Sequence, residues 1–421
     1  TPSYFHQAFE RAKKADLIVT NHAQLCASLS NPKQLFPTFQ RIIIDEAHQL
    51  ERVVTKQFGY TIHYAHIQYV LNQLGMVESN GLIRKMILDD LVTDHFYVRD
   101  WNISFQHVKE EIDDIFRVLY RYVLNNRNQE QPMSDTGKVQ LHINSSLTST
   151  EGWQAIQEMV RRLVTFLKRL TKILQHILEQ IDPINGIKQN VQHYQAELDN
   201  VANHFTDYFL TKQEERNVKW LEIDLHAPKH TVYIYKQPLS IHSLLTESLF
   251  IPNRSVILTS GTLTMNDSFC FIKKQLGLEN HAVRTHILSS PFNYEDKVRV
   301  LIPNDFPDIQ KQTEDFIYAT CEAILSLTEI TEGRMLILFT SYDMLNNAHQ
   351  ILKEALEDSK FTLLSQGITS GSRFRLKKLF QTTYQAILLG TNSFREGVDI
   401  SGQSLSSLVI VRLPFERPTH P

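Results

Sequence analysis

Cysteine is scarce: Cys26, Cys270 and Cys321 are the only three in 421 residues, and they stand far apart. So few exclude a disulfide framework, and a four-thiolate cluster cannot come from this chain alone. A reducing, cytoplasmic setting is expected. Fourteen glycines, fourteen prolines and no Ser/Gly tract exclude collagen-like and disordered classes. No apolar run approaches the roughly 18 residues that span a bilayer, so no membrane association is expected. Positive charge is not in excess either. Lys plus Arg is 43 against 46 for Asp plus Glu, a net charge of −3, which rules out a histone-like coat and confines any nucleic-acid contact to a local groove. No charged-then-apolar leader follows Thr1, so no signal peptide is expected, and the missing initiator Met points to a fragment. At 42% hydrophobic the chain can bury a substantial core, and its length predicts two or three domains.

Six short apolar runs share one grammar, each ending in polar residues. They are Leu17–Val19, Ile42–Ile44, Ser255–Leu258, Met335–Phe339, Ala386–Leu389 and Leu408–Val411. Each predicts a buried parallel strand of an α/β sheet. In such sheets ligands bind beyond the carboxyl ends of the strands, where the polar residues stand. For any single run, an ordinary strand-to-loop transition is the simpler reading.

Between His48 and Thr259 lie roughly two hundred residues, far more than a crossover needs, so a separate domain is expected there. Phe105, Val108, Ile112, Ile115, Leu119 and Val123 recur at helical steps. Ile156, Val160, Leu163, Leu167, Leu170, Leu174, Ile177 and Ile181 alternate steps of four and three, a heptad seam. After the breaker Asp182–Gly186 the alternation resumes from Ile187 to Phe205, which predicts an antiparallel helical hairpin. Arg161, Arg162, Lys168, Arg169 and Lys172 lie off the seam, as a solvated face or a DNA-tracking stripe. Asn125–Thr150 is predicted to be a long loop.

The sharpest local signal is Arg41-Ile42-Ile43-Ile44-Asp45-Glu46-Ala47-His48, an apolar strand that delivers two carboxylates and a histidine. A strand-end Asp suits a hydrated Mg²⁺, because hard cations take oxygen ligands and keep waters. A neighbouring Glu can orient water for phosphoryl transfer, a reaction governed by positioning and electrostatics. The alternative is a surface Asp-Glu pair beside a His.

With these residues the sequence resembles the DinG/XPD-type helicases of superfamily 2, at both ends of the chain but not in its middle. Asp45-Glu46-Ala47-His48 is similar to that family's Walker B motif, a DEAH box. Ala15–Leu25 resembles the preceding segment with its Asn21-His22 pair. Leu258–Thr264 resembles the third motif, with Gly261 where Ala is usual. Leu338–Tyr342 resembles the fourth and Gly390–Asp399 the fifth, with Arg395 where Trp is usual. Ser289–Tyr294 and Arg412–Phe415 also look like family stretches.

The resemblance implies two RecA-like, P-loop NTPase-type α/β domains with parallel sheets and an inserted all-helical arch. The boundaries expected are 1–62 and 218–288 for the first motor domain, 63–217 for the arch and 289–421 for the second motor domain. It implies catalysis and metal binding by Asp45 and Glu46, with His48. Thr259, Ser260, Gly261 and Thr262 would couple hydrolysis to movement. DNA contacts would come from Asn21, His22, Thr340, Ser341, Tyr342, Thr391 and Ser393, and nucleotide contacts from Gly397 and Asp399. The cofactors implied are ATP and Mg²⁺. Many members also carry an iron–sulfur cluster, which these three cysteines do not support. The partner implied is single-stranded DNA, with movement 5′ to 3′ in repair or replication-associated unwinding. Protein partners are not indicated.

A P-loop needs Gly-x-x-x-x-Gly-Lys-Ser/Thr, and the one Gly-Lys here, Gly137-Lys138, precedes Val139. The resemblance places that motif before Thr1 and the closing arginine motif beyond Pro421, so the 421 residues by themselves are expected to lack ATPase activity. The rival from another class is an ATP-independent nucleic-acid-binding module serving an attached nuclease. A metallohydrolase with Asp45, Glu46 and His48 as direct ligands is a third reading. It is weakened because adjacent strand residues point to opposite faces.

Overall fold

The computed structural model describes all residues except 1–3, 31–35, 37–39, 90, 92–94, 128–136, 182–185, 213–215, 228–230, 254, 310, 370, 392–393, 395–399, 401–403 and 414–421. Its strands are β1 (Arg41–Ile44), β2 (Tyr60–His63), β3 (Lys138–His142), β4 (Asn217–Asp224), β5 (Val232–Pro238), β6 (Ser255–Leu258), β7 (Met335–Leu338), β8 (Thr362–Ser365), β9 (Ala386–Gly390) and β10 (Ser407–Ile410). The chain divides into two compact units, Thr1–Leu288 and Ser289–His420.

In the first unit β1 and β6 pair in parallel, with Ile44 opposite Leu258. Ile44 packs with Leu25 and Cys26 of the His22–Ser30 helix, with Leu50 and Val54 of the Leu50–Phe58 helix, and with Leu249 and Ile272. Only this face of the pair is covered. Ile43 on the other face is 71% exposed, and Ile257 is exposed beside it. The expectation of fully buried strands is corrected to that extent. Leu17–Val19 forms no strand, and Leu17 and Val19 are 81% and 89% exposed. A strand needs a neighbour to satisfy its backbone, and this segment pairs with no strand among the described residues.

The residues between β1 and β6 hold a core of their own, running from Ile62 to Ile234. The predicted helices form as His95–Asn126, Glu151–Gln180 and Gly186–Phe205. Every residue of the 156–181 seam is buried, each apolar side chain contributing about 1.5–3 kcal/mol. Thr150 caps the seam helix, its side chain accepting from the Trp153 N–H. Arg162 bonds Glu111 at 2.8 Å, and Arg169 and Arg161 pair with Asp100 and Glu158. Two of these pairs tie the seam helix to His95–Asn126, so three of the five cations off the seam already have carboxylate partners. The Asp182–Asn185 breaker lies outside the described residues.

The all-helical expectation for this insertion is corrected. An antiparallel sheet in the order β2-β5-β4-β3 shares the helices' core. It takes in residues 218–238, placed by sequence in the first motor domain, and β3 lies inside the stretch predicted as a loop. Helix and sheet need one another here, because the apolar faces of β4 and β5 (Leu221, Ile223, Val232, Ile234) have the helices as their cover. No helix among the described residues is long and apolar enough to cross a membrane.

The second unit is a doubly wound parallel sheet in the order β10-β7-β9-β8. Alternation along its strands builds a core on each face. Met335, Ile337, Ile387 and Leu389 meet helices Thr313–Thr331 and Tyr342–Ala355, and Leu336, Leu338 and Leu388 meet helix Arg373–Thr382. The fold is thus mixed α/β with parallel sheets.

Candidate functional site

Parallel register alone brings the first site together. Because Ile44 lies opposite Leu258, the next residues, Asp45 and Thr259, leave the sheet side by side. Thr259 N donates to Ile44 O at 2.9 Å and Ala47 N to Thr259 O at 3.0 Å. The Thr259 hydroxyl then donates to Asp45 Oδ1 at 2.8 Å. This hydroxyl, helped by the Glu46 backbone N–H, holds the fully exposed Asp45 carboxyl below the ordinary carboxylate range. Asp45 therefore stays ionised as pH falls toward the acid side, and protonates only as pH drops through its depressed value. Thr259→Val removes the first of these donors, so the Asp45 pKa rises, read from the side-chain carboxyl carbon shift in an NMR pH titration. An unchanged titration would show that the hydroxyl is not the cause.

Glu46 sits in the left-handed region, at φ 49° and ψ 42°, a conformation that costs a non-glycine residue about 1–3 kcal/mol. The turn breaks strand alternation, so the argument that adjacent carboxylates must face apart does not hold here. Ser260 Oγ lies 3.2 Å from Glu46 Oε2 and 2.7 Å from His48 Nδ1, and His48 Nδ1 lies 3.2 Å from the same Oε2. A proton on Nδ1 lets His48 donate to Ser260, and Ser260 donate onward to Glu46. Thr262 N donates to Ser260 Oγ at 3.3 Å. Oε1 of Glu46 is left without a hydrogen-bond partner among the described residues. At Gly261 an added Cβ would meet nothing within 4 Å, so the Ala usual in the family would fit. His22 Nε2 donates to the Asp45 carbonyl at 2.7 Å, and Asn21 caps the same helix by accepting from Gln24 N at 2.8 Å. His22 thus braces this rim from the helix that Asn21 caps.

Two exposed carboxylates with oxygen-only donors fit Mg²⁺, which takes one or two protein carboxylates and keeps its waters. Among the described residues no group of three or more His, Cys, Asp or Glu side chains gathers to hold a metal. Burial pushes the Cys26 and Cys321 thiols up to about 11.

The second unit has its own strand-end rim. Ser341 follows β7 and caps helix Tyr342–Ala355, its Oγ accepting from Met344 N at 3.2 Å. Thr340 stands just before it. Tyr342 is 51% exposed, and its hydroxyl accepts from Gln366 Nε2 at 2.6 Å. Gln366 Oε1 accepts from Thr391 N at 2.9 Å and from Thr391 Oγ1 at 3.1 Å. Gln366 therefore ties the ends of β7, β8 and β9 together, with Thr391 itself buried. Sequence reasoning missed Gln366. The signal was a polar residue after a short run, but β8 is half polar and was not recognised as a strand. Ser393, Gly397, Asp399 and Arg395 lie outside the described residues.

Residues 324–421 match the helicase C-terminal domain family. A curated protein named 3'-5' exonuclease DinG, from Bacillus subtilis strain 168, is 33% identical over 431 residues, covering 99% of this chain and 45% of its own length. Proteins of the same name from Staphylococcus epidermidis and Staphylococcus aureus strain RF122 are each 24% identical, covering 98% of this chain and 44% of their own. The chain thus spans less than half the length of these relatives. The solved structure of S. tokodaii Xpd4 aligns with 93% of this chain and 62% of its own at 12% identity, with a TM-score of 0.42.

Proposed function

We propose that this chain, which belongs to the DinG/XPD-type family of superfamily 2 helicases, is the working interior of an ATP-driven motor that moves 5′ to 3′ on single-stranded DNA. The observation that carries the reading is the Asp45–Thr259 and Glu46–Ser260–His48 contact across β1 and β6. It couples the residues that would meet Mg²⁺ and water to the segment that would sense nucleotide state. Asp45, kept ionised by Thr259, would hold Mg²⁺ together with Glu46. Bound Mg²⁺ would supply charge neutralisation at the phosphates. Glu46 would take the proton of the attacking water at Oε1, while Oε2 is held by Ser260. As that carboxylate gains a proton, the acceptor facing Ser260 weakens, and Ser260 and His48 are positioned to pass the change to Thr262.

RecA-like architecture for both units and an arch role for the insertion belong to the same proposal, as do nucleotide contacts by Gly397 and Asp399. A role in repair or replication-associated unwinding, and a cytoplasmic location, are part of the proposal on the strength of the family resemblance. The phosphate cradle is not among these 421 residues, and the bare face bearing Ile43 and Ile257 suits cover by helices of the same motor domain. The rival, an ATP-independent binding module serving a nuclease, leaves the Asp45–Glu46–Ser260–His48 arrangement without a task. The two are separated by assaying ATP hydrolysis in the protein at full length with and without oligo(dT). The motor reading predicts strong stimulation. Strand binding that ignores ATP, with no hydrolysis, would support the rival.

A further inference from the structure

The start of helix Arg373–Thr382 is an aromatic and cationic surface that the site described above does not use. Its sequence, Arg373-Phe374-Arg375-Leu376-Lys377-Lys378-Leu379-Phe380-Gln381-Thr382, holds four cations and no carboxylate. Leu376 and Phe380 anchor the helix in the core beneath it. Phe374 points the other way and is 76% exposed, between two arginines. A lone exposed Phe is ordinary on a protein surface, but Phe374 stands between two exposed arginines, a surface suited to a partner that covers ring and charges together.

The position of this helix says what does. It follows β8 through the turn that begins at Gln366, and so starts on the same strand-end rim as Tyr342 and Thr391. Gly367 opens the turn at φ +82°, where an added Cβ would lie 3.6 Å from the Tyr342 ring. Gly371 closes it at φ +129°, where an added Cβ would lie 2.7 Å from Arg375 Cδ. The Arg375 side chain therefore lies against Gly371, at the start of the helix. The Arg373 guanidinium stands 5.7 Å from the Phe394 ring centroid. Three residues separate the two glycines, at most about 14 Å of extended chain from one to the other.

We infer that Phe374, flanked by Arg373 and Arg375, continues the strand path from Tyr342 and stacks on an unpaired base while the arginines meet the adjoining phosphates. The partner is single-stranded DNA, and the inference rests on the motor reading above. A phenyl ring has no hydrogen-bonding group with which to read a base edge and offers only a π-face, which a base inside a duplex does not present. Stacking of this kind is indifferent to sequence. The helix supplies the charge complementarity that a chain of net charge −3 lacks elsewhere on average.

The test is equilibrium binding of fluorescein-labelled oligo(dT) to the full-length protein over a series of salt concentrations. Phe374→Ala is expected to weaken binding about tenfold or more, with Phe374→Tyr restoring it. Arg375→Gln is expected to flatten the slope of log K against log salt by about 0.7, the loss of one phosphate contact on a single strand. Tyr342→Ala serves as the control for the motor reading. If Tyr342→Ala weakens binding while Phe374→Ala and Arg375→Gln bind as the parent does, the inference is overturned and the reading stands. A full-length protein that binds no oligo(dT) at all overturns both. If Phe374→Ala lowers the melting temperature without changing affinity, the ring is a packing surface for protein and the inference is again overturned.

Discussion

Glu46→Gln is expected to lower DNA-stimulated ATP hydrolysis by the full-length protein about 10²- to 10⁴-fold, the usual contribution of a positioned proton acceptor, while ATP binding is retained. The substitution keeps the shape of the side chain and an oxygen for Ser260 to bond, so the left-handed turn at residue 46 and its contacts survive. What disappears is the ability to take a proton from water. A coupled-enzyme assay of kcat, paired with nucleotide binding measured by fluorescence, separates the two. Full hydrolysis by the Gln variant would remove Glu46 from the chemistry and leave its hydrogen bonds as structure alone.

The second large effect concerns the inserted domain. Trp101 is fully buried, and its Nε1 donates to Gly75 O at 2.9 Å, fastening the left-handed glycine that ends helix Tyr64–Leu74 to the long helix His95–Asn126. Trp101→Ala is expected to cost about 3–5 kcal/mol. Trp101→Phe, which keeps most of the packing but orphans the Gly75 carbonyl, is expected to cost about 1–3 kcal/mol. All three tryptophans, Trp101, Trp153 and Trp220, lie in this insertion, so the fluorescence of the remaining two reports its melting without interference from the second unit. Hydrogen exchange at β7 and β9 should be unchanged. Equal loss of protection there would contradict an insertion with a core of its own.

The parallel strands and their polar ends were legible because the information is local: a run of β-branched and aliphatic residues, then a carboxylate or hydroxyl. Once β1 and β6 are read as parallel neighbours, their register places Asp45 against Thr259. The antiparallel sheet was not legible. β2 pairs with β5 across about 170 residues, and no local pattern reports a partner that distant. β4 further hides itself by burying Lys219 and Glu222 among its apolar residues. Leu17–Val19 misled for the converse reason, since an apolar run becomes a strand only beside another. Gln366 carries no signature, because what makes it a tie is the three hydrogen bonds its side chain makes to Tyr342 and Thr391, 24 and 25 residues away.

The account turns on hydrolysis at Asp45 and Glu46 being converted into movement along a strand. The most direct measurement is unwinding of a duplex bearing a single-stranded 5′ tail by the full-length protein with Mg²⁺ and ATP, followed by strand displacement. The account predicts displacement that stops with Glu46→Gln and fails on a substrate tailed only at its 3′ end. Displacement that proceeds without ATP, or at the parent rate in the Gln variant, would contradict it.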